Sequence, residues 1–179
     1  MDIALHMASM LKTLRQEKGW SLSQAAAYTG VSKAMLGQIE RQESSPSIAI
    51  LWKIATGFNV HFSLFLPTEN HQQRPVFSGP APQMTVEPLF PYDKQLRFDH
   101  FSIHLAAGAS SQSSAHDGGV IEHVVVIEGR LSLQVGDEWY NLRAGEGKRF
   151  AGDIAHGYYN PQDKSVHFHS LIHYPAPKA

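Results

Sequence analysis

Eight of the 11 histidines lie from His100 onward, in a stretch with more acidic than basic side chains. A neutral imidazole is a ligand for zinc, copper, iron and nickel, and a protonated one meets an anion, so this concentration points to a bound metal or ligand. Spacing adds a constraint. His167, His169 and His173 fall at alternate positions of one run, and His100 and His104 do so in an earlier run, so each set shares one face of a strand. Period two fixes that they share a face; it does not fix which face is buried. The chain has no cysteine, which excludes disulfides, thiolate zinc fingers and cysteine nucleophiles, and predicts a reduced, cytoplasmic setting.

The elements carrying these residues divide the chain. At roughly 150 residues per domain, 179 residues make one large domain or two small ones, and 42% hydrophobic content is enough for a buried core. Residues 1–66 hold six basic and four acidic side chains, hence +2, and residues 67–179 hold nine and 12, hence −3. Residue patterning changes at the same place. Met7, Met10, Leu11 and Leu14 recur at helical spacing, Gly19 ends that helix, and Ser21 with Gln24 forms a capping-box pair for a second. Ser32 caps a third helix, and Pro46-Ser47 opens a fourth through Ile48, Leu51 and Ala55. Residues 67–83, interrupted by Pro75, Pro80 and Pro82, read as a linker. Beyond it Phe101, Ile103 and Leu105 alternate, as do Leu131, Leu133 and Val135, with glycines marking turns. The fold class is therefore α+β as two domains: all-α over 1–66 and all-β over 84–179. No apolar run approaches the roughly 20 residues of a membrane helix, and His6, Lys12 and Arg15 interrupt anything like a signal peptide.

In a 20-residue window beginning at Leu22, Ala26 is fifth, Gly30 ninth, Val31 tenth, Leu36 fifteenth and Ile39 eighteenth, the spacing of a helix-turn-helix. Ala26 lets two helices cross closely, Gly30 accepts a positive φ in the turn, and Val31, Leu36 and Ile39 anchor the second helix. With Ser21-Leu22-Ser23, Gln38-Ile39-Glu40-Arg41, Ser45-Pro46-Ser47 and Leu51-Trp52-Lys53-Ile54-Ala55, the stretch Leu11–Leu66 resembles the lambda-repressor-like (XRE) family of five-helix DNA-binding domains. The resemblance implies that the helix after the turn enters the major groove. Lys33, Ala34 and Gln38 are then the base-facing residues, for guanine, a thymine methyl and adenine respectively. Ser21, Ser32 and Arg41 would contact phosphate. Leu22 departs from the polar residue often found just after the first cap. A +2 domain contributes only a modest electrostatic attraction, so binding must lean on such contacts, and a homodimer on two half-sites of double-stranded operator DNA is expected.

The second half resembles a cupin, a double-stranded β-helix barrel with two short motifs. His116, Glu122 and Gly129 match the first motif, and Gly145, His156 and Asn160 the second, whereas Gly118 departs from the first and Ala151 and Asp153 from the second. The match covers about residues 95–175. It implies a divalent metal, with zinc favoured over iron, nickel and manganese, held by His116, Glu122 and His156 and keeping open positions. His123, next to Glu122, points to the opposite strand face and is a poor fourth ligand. If the histidine faces line the barrel, His100, His104, His167 and His169, with Phe150 and Tyr158 as walls, form a ligand pocket; the alternative is that those faces meet solvent and the aromatics are core.

The two resemblances together imply a cytoplasmic transcription regulator rather than an enzyme. Its cupin would sense a small-molecule effector, amino-acid-like or sulfur-related, because the run Gly30–Arg41 is similar to regulators of this layout connected with sulfur utilisation. Two rivals stand beside this reading: a metal-dependent cupin oxygenase or isomerase fused to a DNA-binding domain, and a DNA-binding protein whose cupin only dimerises.

Overall fold

A computed structural model describes residues 3–66, 83–113, 115–116 and 118–175, in two compact units, Met1–Pro75 and Val76–Ala179. The linker expected over 67–83 lies, apart from Gln83, outside the described residues.

The first unit holds α1 (Ile3–Glu17), α2 (Leu22–Thr29), α3 (Lys33–Glu40) and α4 (Ile48–Phe58), then a 3-10 turn at Phe62–Phe65. Their starts follow from side-chain capping. Ser21 accepts from Gln24 N–H while the Gln24 side chain accepts from Ser21 N–H, a complete capping box. Ser32 and Ser47 accept from the N–H groups of Met35 and Ile50, satisfying donors that a helix start leaves without partners. One face of α1 (Met7, Leu11, Leu14) is buried with Leu36 and Ile39 of α3 and with Leu51, Ile54 and Phe58 of α4.

Where five helices were expected, the described residues of this unit hold four α-helices. Asn59 in the left-handed conformation ends α4, and a 3-10 turn follows. Leu66, at the end of that turn, is extended at φ −95 and ψ 134, as expected of a residue preceding proline. Phe62 and Phe65 are nonetheless fully buried, and the ring of Phe62 lies 3.8 Å from that of Trp52. The turn closes the core that a fifth helix was expected to close.

The second unit is a pair of antiparallel sheets. Its strands are β1 (Met84–Asp93), β2 (Phe98–Leu105), β3 (Ser110–Ser113), β4 (Ile121–Glu128), β5 (Arg130–Val135), β6 (Glu138–Arg143), β7 (Gly147–Ala151), β8 (His156–Tyr159) and β9 (Val166–His173). One sheet has the order β1-β2-β9-β4-β7 and the other β3-β8-β5-β6. Phe101, Ile103 and Leu105 of β2, Val124 and Val126 of β4, Leu131 and Leu133 of β5 and Phe168 of β9 are buried as the core. Strand β9 settles what period two left open. Val166, Phe168, Ser170 and Ile172 are buried, while His167, His169, Leu171 and His173 are only half-buried on the other face. Among the described residues no helix is long and apolar enough to cross a membrane.

Candidate functional site

The helix-turn-helix face is built by α2, its turn and α3. Gly30 sits at φ 65 and ψ 16 and donates its N–H to Ala26 O; a side chain there would cost roughly 1–2 kcal/mol. Val31 then drops into the core, and α3 buries Leu36 and Ile39, leaving Lys33, Ala34 and Gln38 exposed on the opposite face. Lys33, Ala34, Gln38 and Arg41 line one shallow groove together with Leu22 and Gly37. Four of the six residues expected to meet DNA are thus assembled there, and Ser21 and Ser32 are exposed at the two helix N-termini. Leu22, the departure from the usual pattern, is half-buried at the groove's edge.

Three features of this unit escaped the sequence reading. A close approach of α4 to the end of α2 is one: a Cβ on Gly57 of α4 would lie 2.6 Å from Thr29 Cα. Arg15 of α1 forms a two-pronged pair with Glu40, at 2.6 and 2.8 Å, and donates to Trp20 O, tying the end of α3 to α1. Arg41 makes a similar fork onto Glu43, at 2.8 and 2.7 Å. That pairing raises the Arg41 guanidinium and lowers the Glu43 carboxyl from their ordinary values, so Arg41 must exchange a carboxylate to reach a phosphate. Spacing of i, i+2 outside a helix gives little warning of such a fork.

Inside the barrel, three expected ligands come together from separate elements. Glu122 is on β4 of one sheet, His156 opens β8 of the other, and His116 sits in the loop before β4. Their donor atoms all lie within 4.8 Å of one another. Glu122 Oε1 is 3.0 Å from His116 Nε2 and 3.2 Å from His156 Nε2, at ion-pair distance, and this oxygen is buried without a hydrogen-bond partner. Glu122 Oε2 accepts from Tyr158 OH at 3.0 Å. His156 Nδ1 is 2.8 Å from Ile154 O; a carbonyl can only accept, so Nδ1 carries the proton. In a neutral ring Nε2 then presents a lone pair toward a carboxylate oxygen, and two acceptors facing each other call for a cation or a proton between them.

Burial acts to raise the Glu122 carboxyl, and the two imidazoles facing it outweigh that and hold it at about 2. His156 is pulled down by burial but raised overall by Glu122. Tyr158 is pushed well up, first by burial and then by the neighbouring carboxylate.

The supporting residues explain the geometry. His116 N–H donates to Gly152 O, and a Cβ on Gly152 would lie 3.3 Å from Glu122 Oε1, so this glycine leaves room for the carboxylate. Asp153, at a departing position of the second motif, accepts from Gly119 N–H and pins the loop after His116. Gly118, at the departing position of the first motif, is exposed. Asn160 donates to the carbonyls of Leu105, Ala106 and Lys164, a purely structural duty.

The six residues expected to form a ligand pocket are separated. Phe150 and Tyr158 are buried in the barrel beside His156, with ring centres 5.1 and 6.0 Å away. His100, His104, His167 and His169 lie on the outer face of the five-stranded sheet. The correction follows from strand parity: inward Phe101, Ile103, Phe168 and Ile172 force their neighbours outward. His123 faces outward as well, because Glu122 faces in.

Comparison with known proteins matches both units. A helix-turn-helix family model fits residues 11–65 and a cupin-domain model fits residues 101–172. The HTH-type transcriptional regulator SutR of Escherichia coli (strain K12) is 56% identical over 174 residues, covering 97% of this chain and 98% of that protein. The crystal structure of an HTH_3 family transcriptional regulator from Vibrio cholerae is 40% identical with a TM-score of 0.86, covering 97% of both chains. The cupin domain of an XRE family transcriptional regulator from Enterobacter cloacae is 58% identical with a TM-score of 0.51, over 52% of this chain and 98% of that one.

Proposed function

The chain belongs to the HTH-type transcriptional regulators that join a DNA-binding helix-turn-helix domain to a cupin domain, and from that premise we propose a metal-dependent effector sensor acting on operator DNA. As one half of a homodimer, α3 reads base edges with Lys33, Ala34 and Gln38, while Ser21, Ser32 and Arg41 hold phosphates. The cupin holds a divalent ion, zinc first, on His116, Glu122 and His156. Bound there, such an ion supplies an electrophilic centre with a position that three protein donors leave open. An amino-acid-like or sulfur-bearing effector fits that position, because carboxylate and thiolate are both zinc donors.

The observation that carries this reading is Glu122 Oε1, buried, facing two imidazole Nε2 atoms, and without a hydrogen-bond partner. This chain's own residues prepare the place: Ile154 O fixes the His156 tautomer, Tyr158 OH occupies the second carboxylate oxygen, and Gly152 leaves the space. Effector binding then shifts the balance between arrangements of the protein that hold paired α3 helices at different spacings, which requires that the effector favour one of them.

The test is elemental analysis of the full-length protein together with operator binding by fluorescence anisotropy, with and without chelator, on a DNA fragment recovered by selection. About one zinc per chain, lost in His116→Ala, and operator affinity that changes when metal and candidate effectors are added, support the reading. A chain that binds its operator equally in every one of these states overturns it and leaves the cupin as a dimerising module.

A further inference from the structure

The three central strands of the five-stranded sheet, β2, β9 and β4, each run for eight residues. Alternate side chains turn outward, up to the bulge near the end of β4. Six of those outward residues are histidines, and none of them is Asp, Glu, Lys or Arg. His100, His167 and His169 add little charge near neutral pH, because each sits below the ordinary imidazole range, first through partial burial. Large apolar side chains stand open among them, with Val125 42%, Ile127 44% and Phe90 57% exposed. Val125, Ile127 and Leu171 line a groove of about 380 Å³ between the imidazoles. Charge is kept to the margins, at Glu87 on β1, Glu128 at the end of β4 and Arg149 on β7. An uncharged centre within a charged rim is the anatomy of a protein–protein interface.

We infer that two copies of the chain meet on this face, sheet against sheet, about a two-fold axis parallel to β9. The inference rests on the homodimer proposed above and supplies its surface. A two-fold interface sets one patch against itself, so a centre of either sign would repel its own copy, and this centre has neither. Size agrees as well. At about 4.8 Å between strands and about 3.4 Å per residue, five strands around eight-residue centres cover about 24 Å by about 27 Å, roughly 650 Å². A standard interface takes about 600–1,000 Å² from each partner.

The rim charges select the axis. Register carries Glu87 across the sheet to Ser102, His169, Val125 and Gly147, and Arg149 lies two residues beyond Gly147 on β7. Rotation about an axis along β9 keeps each residue's height along the strands and exchanges the two sides of the sheet. Arg149 then comes over the β1 edge of the other copy, about 7 Å along the strands from Glu87. Two long side chains cross that offset between sheets about 10 Å apart. Glu128, in register with His167 and so with His104, comes over His104 of the other copy. An axis running across the strands would instead lay each edge on itself, Arg149 beside Arg149 and Glu87 beside Glu87, where like charges repel.

Sedimentation velocity of the full-length protein over a concentration series tests this surface. The wild type is expected to dimerise. Val125→Arg, at a position already open in one copy, sets a cation among imidazoles with no carboxylate at the centre, and should raise the dimer dissociation constant roughly 100-fold or more. Arg149→Glu should raise it about 5-fold, and adding Glu87→Arg should restore it; this pair keeps the test open if Val125→Arg does not fold by circular dichroism. Trp139→Glu, on β6 of the other sheet and 54% exposed, should leave the dimer intact. A monomeric wild type overturns this inference together with the homodimer. A dimer that survives Val125→Arg, or one that Trp139→Glu breaks, overturns the inference alone and moves the homodimer to another surface. A charge swap without restoration overturns the axis along β9.

Discussion

The two units place chemistry on opposite sides of their surfaces. In the helical unit the residues proposed to meet DNA are exposed, and buried residues hold α3 in place. In the barrel unit the best-formed cluster is buried, at Glu122 and His156, and the four histidines expected to line a pocket face outward. The difference is one of period. A helix with a 3.6-residue repeat declares its buried stripe, because apolar and polar residues occupy different arcs. In this barrel, imidazoles alternate with apolar residues on β9, but Glu122 alternates with His123 on β4, and both faces carry residues able to bind.

The strongest test of this contrast is Glu122→Gln, which keeps the shape of the side chain and removes the anionic donor. Zinc affinity measured by chelator competition is expected to fall by more than about 100-fold, beyond what loss of a supporting group causes, while operator-sized DNA still binds the helical unit. Equal zinc affinity would end the buried-site side of the comparison. Next in size is Gly57→Ala. A methyl 2.6 Å from Thr29 Cα meets backbone, so the helical unit should lose roughly 1–3 kcal/mol in chemical denaturation, with the barrel's zinc affinity unchanged; a neutral result would mean α2 can shift freely against α4.

A smaller effect is expected from Glu43→Gln, which releases Arg41 from its fork. DNA binding should tighten a few-fold, with a steeper dependence on salt because one more cation meets phosphate. Weaker binding would show that Glu43 positions Arg41 instead of competing for it. The smallest effect concerns pH. His100, His167 and His169 are lowered from the ordinary 6.5; His104 and His169 act against charge on His167, and Glu87 and Glu128 partly offset them. The unfolded chain therefore takes up protons first, and stability is lost as pH falls through about 6.5. The metal-free protein should melt a few degrees lower at about pH 5.5 than at about pH 7.5, given roughly 2–4 °C per kcal/mol for a chain of this size. His169→Ala should narrow that gap, and an unchanged gap would place the titration elsewhere.

Much of the fold was legible. Ser21, Gln24, Ser32 and Ser47 mark helix starts by local chemistry that acts within one turn, and all three caps form in the structure. Gly30 likewise marks its turn. The barrel's three converging residues were legible as a spaced motif, but their supports were not: Gly152 and Tyr158 meet Glu122 across 30 and 36 residues of sequence, and nothing local announces such contacts. The fifth helix was implied only by the family resemblance, and among the described residues a 3-10 turn that ends at an extended Leu66 before Pro67 stands after α4.

Sequence by itself determined the division into a helical and a β unit, the caps and turn of the helix-turn-helix, and which residues share a strand face, because each rests on periodicity or on hydrogen bonds closed within a few residues. Tertiary structure alone decided which face of the five-stranded sheet is buried, that Glu122 lies between two imidazoles, and that Arg15 ties α1 to α3. Those depend on which strands and helices pack together, and packing is settled by the burial of the whole core.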